Sequence, residues 1–88
     1  MHRKGGRADF VVELRSPSDS LAATRAKLAE YIANGARRGL LIDPSARKVY
    51  VYRPGAPVQE LDDPATVSGD PELPGFTLNA RDVFQTSF

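Results

Sequence analysis

Ala8-Asp9-Phe10-Val11-Val12-Glu13-Leu14 is a short, β-branched run closed by Ser16-Pro17-Ser18, and a run of that kind reads as a strand. Side chains alternate along a strand, so Asp9, Val11, Glu13 and Arg15 share one face while Phe10, Val12 and Leu14 share the other. The next segment, Ser16-Pro17-Ser18-Asp19-Ser20, offers several side-chain oxygens that can accept from the free N–H groups opening a helix, and leaves open which one caps it. From Leu21 to Asn34 the apolar positions Leu21, Leu28 and Ile32, flanked by Thr24 and Tyr31, recur at helical spacing. Gly35 supplies a left-handed stop. Gly39-Leu40-Leu41-Ile42-Asp43 is a continuous apolar run, the pattern of a strand buried on both faces. Strand, amphipathic helix and buried strand make a βαβ unit, so the two strands are expected to be parallel through a right-handed crossover.

Downstream, Pro44-Ser45-Ala46-Arg47 reads as a turn, and Lys48 to Arg53 alternates, with Val49 and Val51 on one side and Tyr50 and Tyr52 on the other. This is a hairpin partner for strand 39–43. Val58 to Leu61 is expected as an edge strand after the break at Pro54-Gly55-Ala56-Pro57. Beyond Asp62, Pro, Gly, Ser and Asp dominate, leaving a short β segment at Phe76-Thr77-Leu78 and a helical turn from Ala80 to Phe84. Residues 1–7 are basic and contain no apolar member after Met1, so they are expected to form a flexible tail before a domain over 8–88.

The chain has 88 residues, 41% of them hydrophobic and 26% charged, which suits one small domain. A domain this small buries only about two-thirds of its unfolded surface, so its stability margin is thin. It has no cysteine, and its single histidine, His2, cannot build a zinc site. No apolar run approaches the roughly 18 residues needed to span a bilayer, which makes the cytoplasm the default expectation. The net charge of +1 hides an asymmetry: residues 1–48 carry ten Lys/Arg against five Asp/Glu, whereas residues 49–88 carry two against six. The basic half is suited to face phosphate; ordinary solvated surface is the competing reading.

The polar face of the first strand is where chemistry is expected. Unpaired buried charge costs several kcal/mol, so two carboxylates and a guanidinium on one strand face need partners. One explanation is a Mg²⁺ site, with Glu13 as an oxygen ligand and Arg15 as a phosphate-facing cation. The other is a surface pair, Glu13 with Arg15 or Asp9 with Arg7, on a solvated edge. Lys27 lies at the border of the helix's apolar face, where its stem can pack on the sheet while its ammonium reaches the polar end of strand 8–14. Glycine-rich phosphate loops and Ser/His/Asp catalysis find no support in the residues. Tyr50 and Tyr52 fit either base stacking or packing under a helix, the commoner use.

The run from Asp9 to Asp19, followed by Lys27, Tyr31, Asn34-Gly35-Ala36, Leu41-Ile42-Asp43-Pro44, Val49-Tyr50-Val51-Tyr52 and Leu73-Pro74-Gly75-Phe76, resembles a large bacterial restriction-endonuclease family of the PD-(D/E)XK nuclease superfamily. The resemblance implies a restriction-endonuclease-like α/β fold with a mixed sheet, in which this chain corresponds to the carboxy-terminal half and is truncated at the amino terminus. It also implies Mg²⁺-dependent hydrolysis of DNA. Glu13 matches the second acid of the family's site, and Asp9 matches an acid of the same strand, though not the principal metal aspartate, which lies on an earlier hairpin. Arg15 stands where the family's lysine stands; a guanidinium does not deprotonate, so Lys27 is expected to supply the catalytic cation from the helix. With the earlier hairpin absent, the alternative is an inert oligomerising or nucleic-acid-binding module derived from the nuclease fold. In either case strand 8–14 offers an unpaired edge, and a homodimer or higher homo-oligomer is expected.

Overall fold

The computed structural model describes residues 10–86. The expected basic tail, and Asp9 with it, lies outside the described residues. In chain order the elements are β1 (Phe10–Leu14), α1 (Leu21–Ala33), β2 (Arg38–Asp43), β3 (Lys48–Tyr52), β4 (Gln59–Asp62), β5 (Val67–Ser68), β6 (Thr77–Leu78) and α2 (Ala80–Thr86). A mixed four-stranded sheet has the order β1-β2-β3-β4, and β5 pairs with β6 in a separate antiparallel ladder. β1 runs parallel to β2 with Glu13 beside Leu41, and β2–β3 and β3–β4 are antiparallel.

Both ends of α1 follow local chemistry. Of the four oxygen-bearing candidates between 16 and 20, Ser20 is the cap: its backbone is extended and its Oγ accepts from Ala23 N–H at 3.2 Å. Asn34 closes the helix, and Gly35 follows at φ 109°, a conformation that penalises any side chain. Thr24 and Leu28 are buried, with Leu21, Tyr31 and Ile32 partly so. Every residue of β2 is buried, as its unbroken apolar run implies for a strand covered on both sides.

Alternation divides the core into two layers. On one side Leu28 packs with Leu41, Tyr50 and Tyr52 beneath α1. On the other, Leu40, Ile42, Val49 and Val51 meet Val67, Ala80 and Phe84. Tyr50 and Tyr52 therefore serve packing, and Arg25 covers them, with its Nε donating to Tyr52 Oη at 3.2 Å and its guanidinium 5.2 Å from the centre of the Tyr50 ring. Gly39 lets helix and sheet approach: a Cβ there would lie 2.7 Å from Leu28 Cδ1. In the small ladder, β6 falls on the β segment expected at Phe76-Thr77-Leu78, whereas β5 was not legible in the sequence, because a two-residue strand carries no periodicity; buried Val67 is the ladder's only anchor of that kind.

A cluster of charges fastens the loop before β6 to the sheet. The Arg38 side chain, almost fully buried, donates from Nη1 to the Asp70 carbonyl at 3.1 Å and lies 3.5 Å from Glu72 Oε1, while Arg53 Nε donates to Glu72 Oε2 at 2.9 Å. The hydrogen bond from Arg53 holds the Glu72 carboxyl below its ordinary value. A depressed folded-state value contributes stability that is fully present above the unfolded-state value and is lost as pH falls through the folded one. The wild-type Tm is therefore expected to fall more steeply than that of Glu72→Gln as pH drops below the ordinary glutamate range. Parallel Tm–pH profiles would show that the cluster contributes no such linkage.

Candidate active site

Lys27 and Tyr31 stand four residues apart on α1 and so project from the same side of the helix. That side meets Glu13, which β1 places on the sheet face covered by α1. The two residues take one carboxylate between them. Lys27 Nζ lies 3.8 Å from Glu13 Oε1, and Tyr31 Oη donates to Glu13 Oε2 at 3.3 Å. Glu13 and Lys27, with Asp19, Ala23 and Thr24, line a cleft of about 160 Å³. Its floor is thus the polar end of β1, and its wall is the first half of α1 with the turn preceding it.

The Lys27 ammonium is half exposed and its separation from Glu13 is long, so the pair adds little to stability, on the order of 0–1 kcal/mol. What it retains is chemistry: N–H donors open to solvent beside a carboxylate of fixed orientation. Asp19 contributes a second negative group. The Ser16 backbone N–H donates to its Oδ2 at 3.1 Å, and this bond first of all lowers the Asp19 value and keeps the carboxylate charged.

Arg15 goes elsewhere. Its Nη1 donates to Asp43 Oδ1 at 3.0 Å, and Asp43 is almost fully buried. The parallel register brings them together, since Leu14 stands beside Ile42 and the Arg15 N–H donates to the Ile42 carbonyl at 2.9 Å. The structure thus groups Glu13 with Lys27, whereas Arg15 does not line the cleft. Tyr31 and Asp19 were not singled out as site residues from sequence, because a tyrosine flanking an apolar stripe and an aspartate opening a helix both have ordinary structural uses. The spacing of Tyr31 from Lys27 was the available signal.

Mg²⁺ binding needs several hard oxygen ligands, about six in all. Among the described residues no group of three or more His, Cys, Asp or Glu side chains is placed to hold a metal ion. Both Glu13 oxygens already face donors on α1. The described residues therefore do not fit a complete Mg²⁺ site, and Glu13 is at most one ligand of one.

The strand carrying Glu13, the helix carrying Lys27, and the hairpin behind them match a known family. The Uma2 family model, described as "Putative restriction endonuclease", aligns with residues 2–81. This chain belongs to the Uma2 family. No curated protein matches it. Among solved structures, the Uma2 chain is similar to a crystal structure from Anabaena variabilis described as "a putative nuclease belonging to DUF820", at 28% sequence identity and a TM-score of 0.76. The match covers 90% of the Uma2 chain but 45% of that protein, so this chain spans a little under half the length of the structure it resembles. No helix among the described residues is long and apolar enough to cross a membrane.

Proposed function

We propose that the Glu13–Lys27 cleft is part of a DNA phosphodiester-hydrolysing site. The observation that carries this reading is the convergence, on one open cleft of a nuclease-family fold, of an exposed ammonium and a carboxylate held at both oxygens. Lys27 is the phosphate-facing cation: it neutralises a non-bridging oxygen and stabilises charge that builds up in the transition state. Glu13 is the catalytic carboxylate, kept in place by Lys27 and Tyr31. Arg15 acts on the site indirectly by fixing the end of β1 through Asp43. Mg²⁺ enters as a requirement to be tested, with Glu13 as one ligand and the others outside this set of residues, Asp9 among the candidates. In this reading the chain works as a homo-oligomer.

The ligand set, incomplete among the described residues, also supports a second reading, a DNA-binding module without hydrolysis. One pair of measurements separates the two. Under the nuclease reading, Glu13→Gln reduces plasmid nicking in Mg²⁺ to the no-protein level. In EDTA the same substitution tightens DNA binding by about fivefold, since it removes one negative charge near phosphate, worth about 1 kcal/mol at close range in water. Lys27→Ala weakens binding in EDTA by a similar factor. Nicking that is equal for wild type and Glu13→Gln would sink the nuclease reading, and wild-type binding without nicking would support the module.

A further inference from the structure

We infer that Arg38 and Arg53 form a phosphate-binding seat, separate from the Glu13 cleft, over which Glu72 holds its carboxylate as a built-in competitor for an incoming oxyanion. The sheet sets the two cations against each other. In the antiparallel ladder of β2 and β3, Gly39 pairs with Tyr52, so the next position outward opposes Arg38 to Arg53. Like charges directly opposed across strands are destabilising, and here one of them is almost fully buried. Burial first, and then the facing Arg53, push the Arg38 guanidinium below its ordinary value. Such a pair persists where an anion lies between its members.

Glu72 is that anion. Its Oε1 lies 3.5 Å from Arg38 Nη1 and 3.4 Å from Arg53 Nη2, so a single oxygen is spanned by both guanidiniums. Two arginines around one oxygen is equally the arrangement that binds phosphate, because the guanidinium fork fits phosphate as it fits carboxylate. Phosphate also brings more acceptor oxygens than a carboxylate. Arg38 has a donor to spare for them: its Nε is buried without a hydrogen-bond partner, while Nη1 donates to the Asp70 carbonyl. The exposed Asp70 carboxylate acts on Arg38 only through space.

The seat is built into the fold, and its guard can move. The Arg38 guanidinium stands 5.5 Å from the centre of the Phe10 ring, which meets Phe76 edge-on, so aromatic packing helps to fix the cation independently of Glu72. Glu72 arrives on the loop joining β5 to β6, and that loop is shaped by backbone bonds of its own: Gly69 N–H donates to the Phe76 carbonyl, and Leu73 N–H to the Gly69 carbonyl, each at 2.8 Å. The Glu72 side chain can therefore swing aside while the loop keeps its form. Access is from the side of Arg53, whose side chain is 32% exposed. Phosphate esterified in a nucleic-acid backbone and free phosphate share the chemistry that this seat recognises, and the seat stands whether or not the cleft hydrolyses DNA.

The side-chain Nε–H signals of Arg38 and Arg53, followed by NMR in the whole chain, read the seat directly. Inorganic phosphate is expected to shift both signals saturably in the wild type, whereas chloride at equal ionic strength does not. Glu72→Gln should bind phosphate about tenfold more tightly, because a hydrogen bond from a charged group no longer competes. Phosphate should also raise the Tm of that variant more than the Tm of the wild type. Arg53→Gln should abolish the response at Arg38, which keeps the test decisive should Glu72→Gln fail to fold. Arg37→Gln, which removes the exposed cation preceding Arg38, should leave the response unchanged. Duplex DNA that displaces phosphate assigns the seat to the nucleic-acid backbone, and DNA that leaves it bound assigns the seat to free phosphate. Equal effects of phosphate and chloride overturn the inference, as does a response that survives Arg53→Gln or a folded Glu72→Gln that binds phosphate no more tightly than the wild type.

Discussion

Asp43→Ala is expected to cost about 3 kcal/mol of folding stability, near the lower end of the range for breaking a buried ion pair. Asp43 is 2% exposed and accepts from Arg15 Nη1. Removing it leaves a guanidinium whose Nε is already buried without a partner. Arg15 keeps some access to water, its side chain being 19% exposed, which holds the cost below the upper limit. A chain of this size has roughly 4–13 kcal/mol in all, so the loss is a large share of its stability. Urea denaturation reads it as a lower midpoint at unchanged slope. Replacing both partners, Arg15→Met with Asp43→Leu, should recover most of the loss, because the cost lies in stranding a charge and not in lacking the pair. A change within about 0.5 kcal/mol for Asp43→Ala would show that water screens Arg15 fully and that the pair does not fix the end of β1.

Leu28→Ala should cost a comparable 2–5 kcal/mol. Leu28 is completely buried among Leu41, Tyr50 and Tyr52, and its Cδ1 occupies the space that the absent Cβ of Gly39 leaves above β2. The resulting void adjoins strand backbone, which cannot collapse as a flexible side chain can. Gly39→Ala alone should destabilise by about 1–3 kcal/mol through overpacking. Combined with Leu28→Ala, however, its methyl enters the void, and the double variant should be more stable than the sum of the single effects predicts. Strict additivity would mean that Leu28 and Gly39 do not share that space. Because Leu28 anchors the helix that carries Lys27 and Tyr31, its loss also frees both from Glu13.

The Glu13 cleft illustrates why the site was only partly legible. Alternation along β1 placed Glu13 on the polar face, and the helical wheel placed Lys27 at the border of the apolar one; both are properties of a single element. Their meeting depends on how far α1 slides and rotates over the sheet, which is set by the contact of Leu28 with Gly39. Tyr31 enters the site by the same docking. Arg15 shows the converse: its charge suggested phosphate, whereas the partner that claims it, Asp43, stands 28 residues away and becomes a neighbour only through the parallel register.

By itself the sequence determined what periodicity and local chemistry can carry: the strand at 10–14, the helix with Gly35 at its stop, the buried strand at 39–43, the Val/Tyr hairpin, and hence a βαβ unit with parallel strands. Those features follow from backbone geometry repeated every two or 3.6 residues, so a few neighbours suffice to read them. Only the tertiary structure decided which charges pair, that β5 and β6 form a ladder, and that Val12 and Leu14 are exposed among the described residues. These depend on distances between residues far apart in the chain, fixed by how whole elements pack, and no local pattern records them.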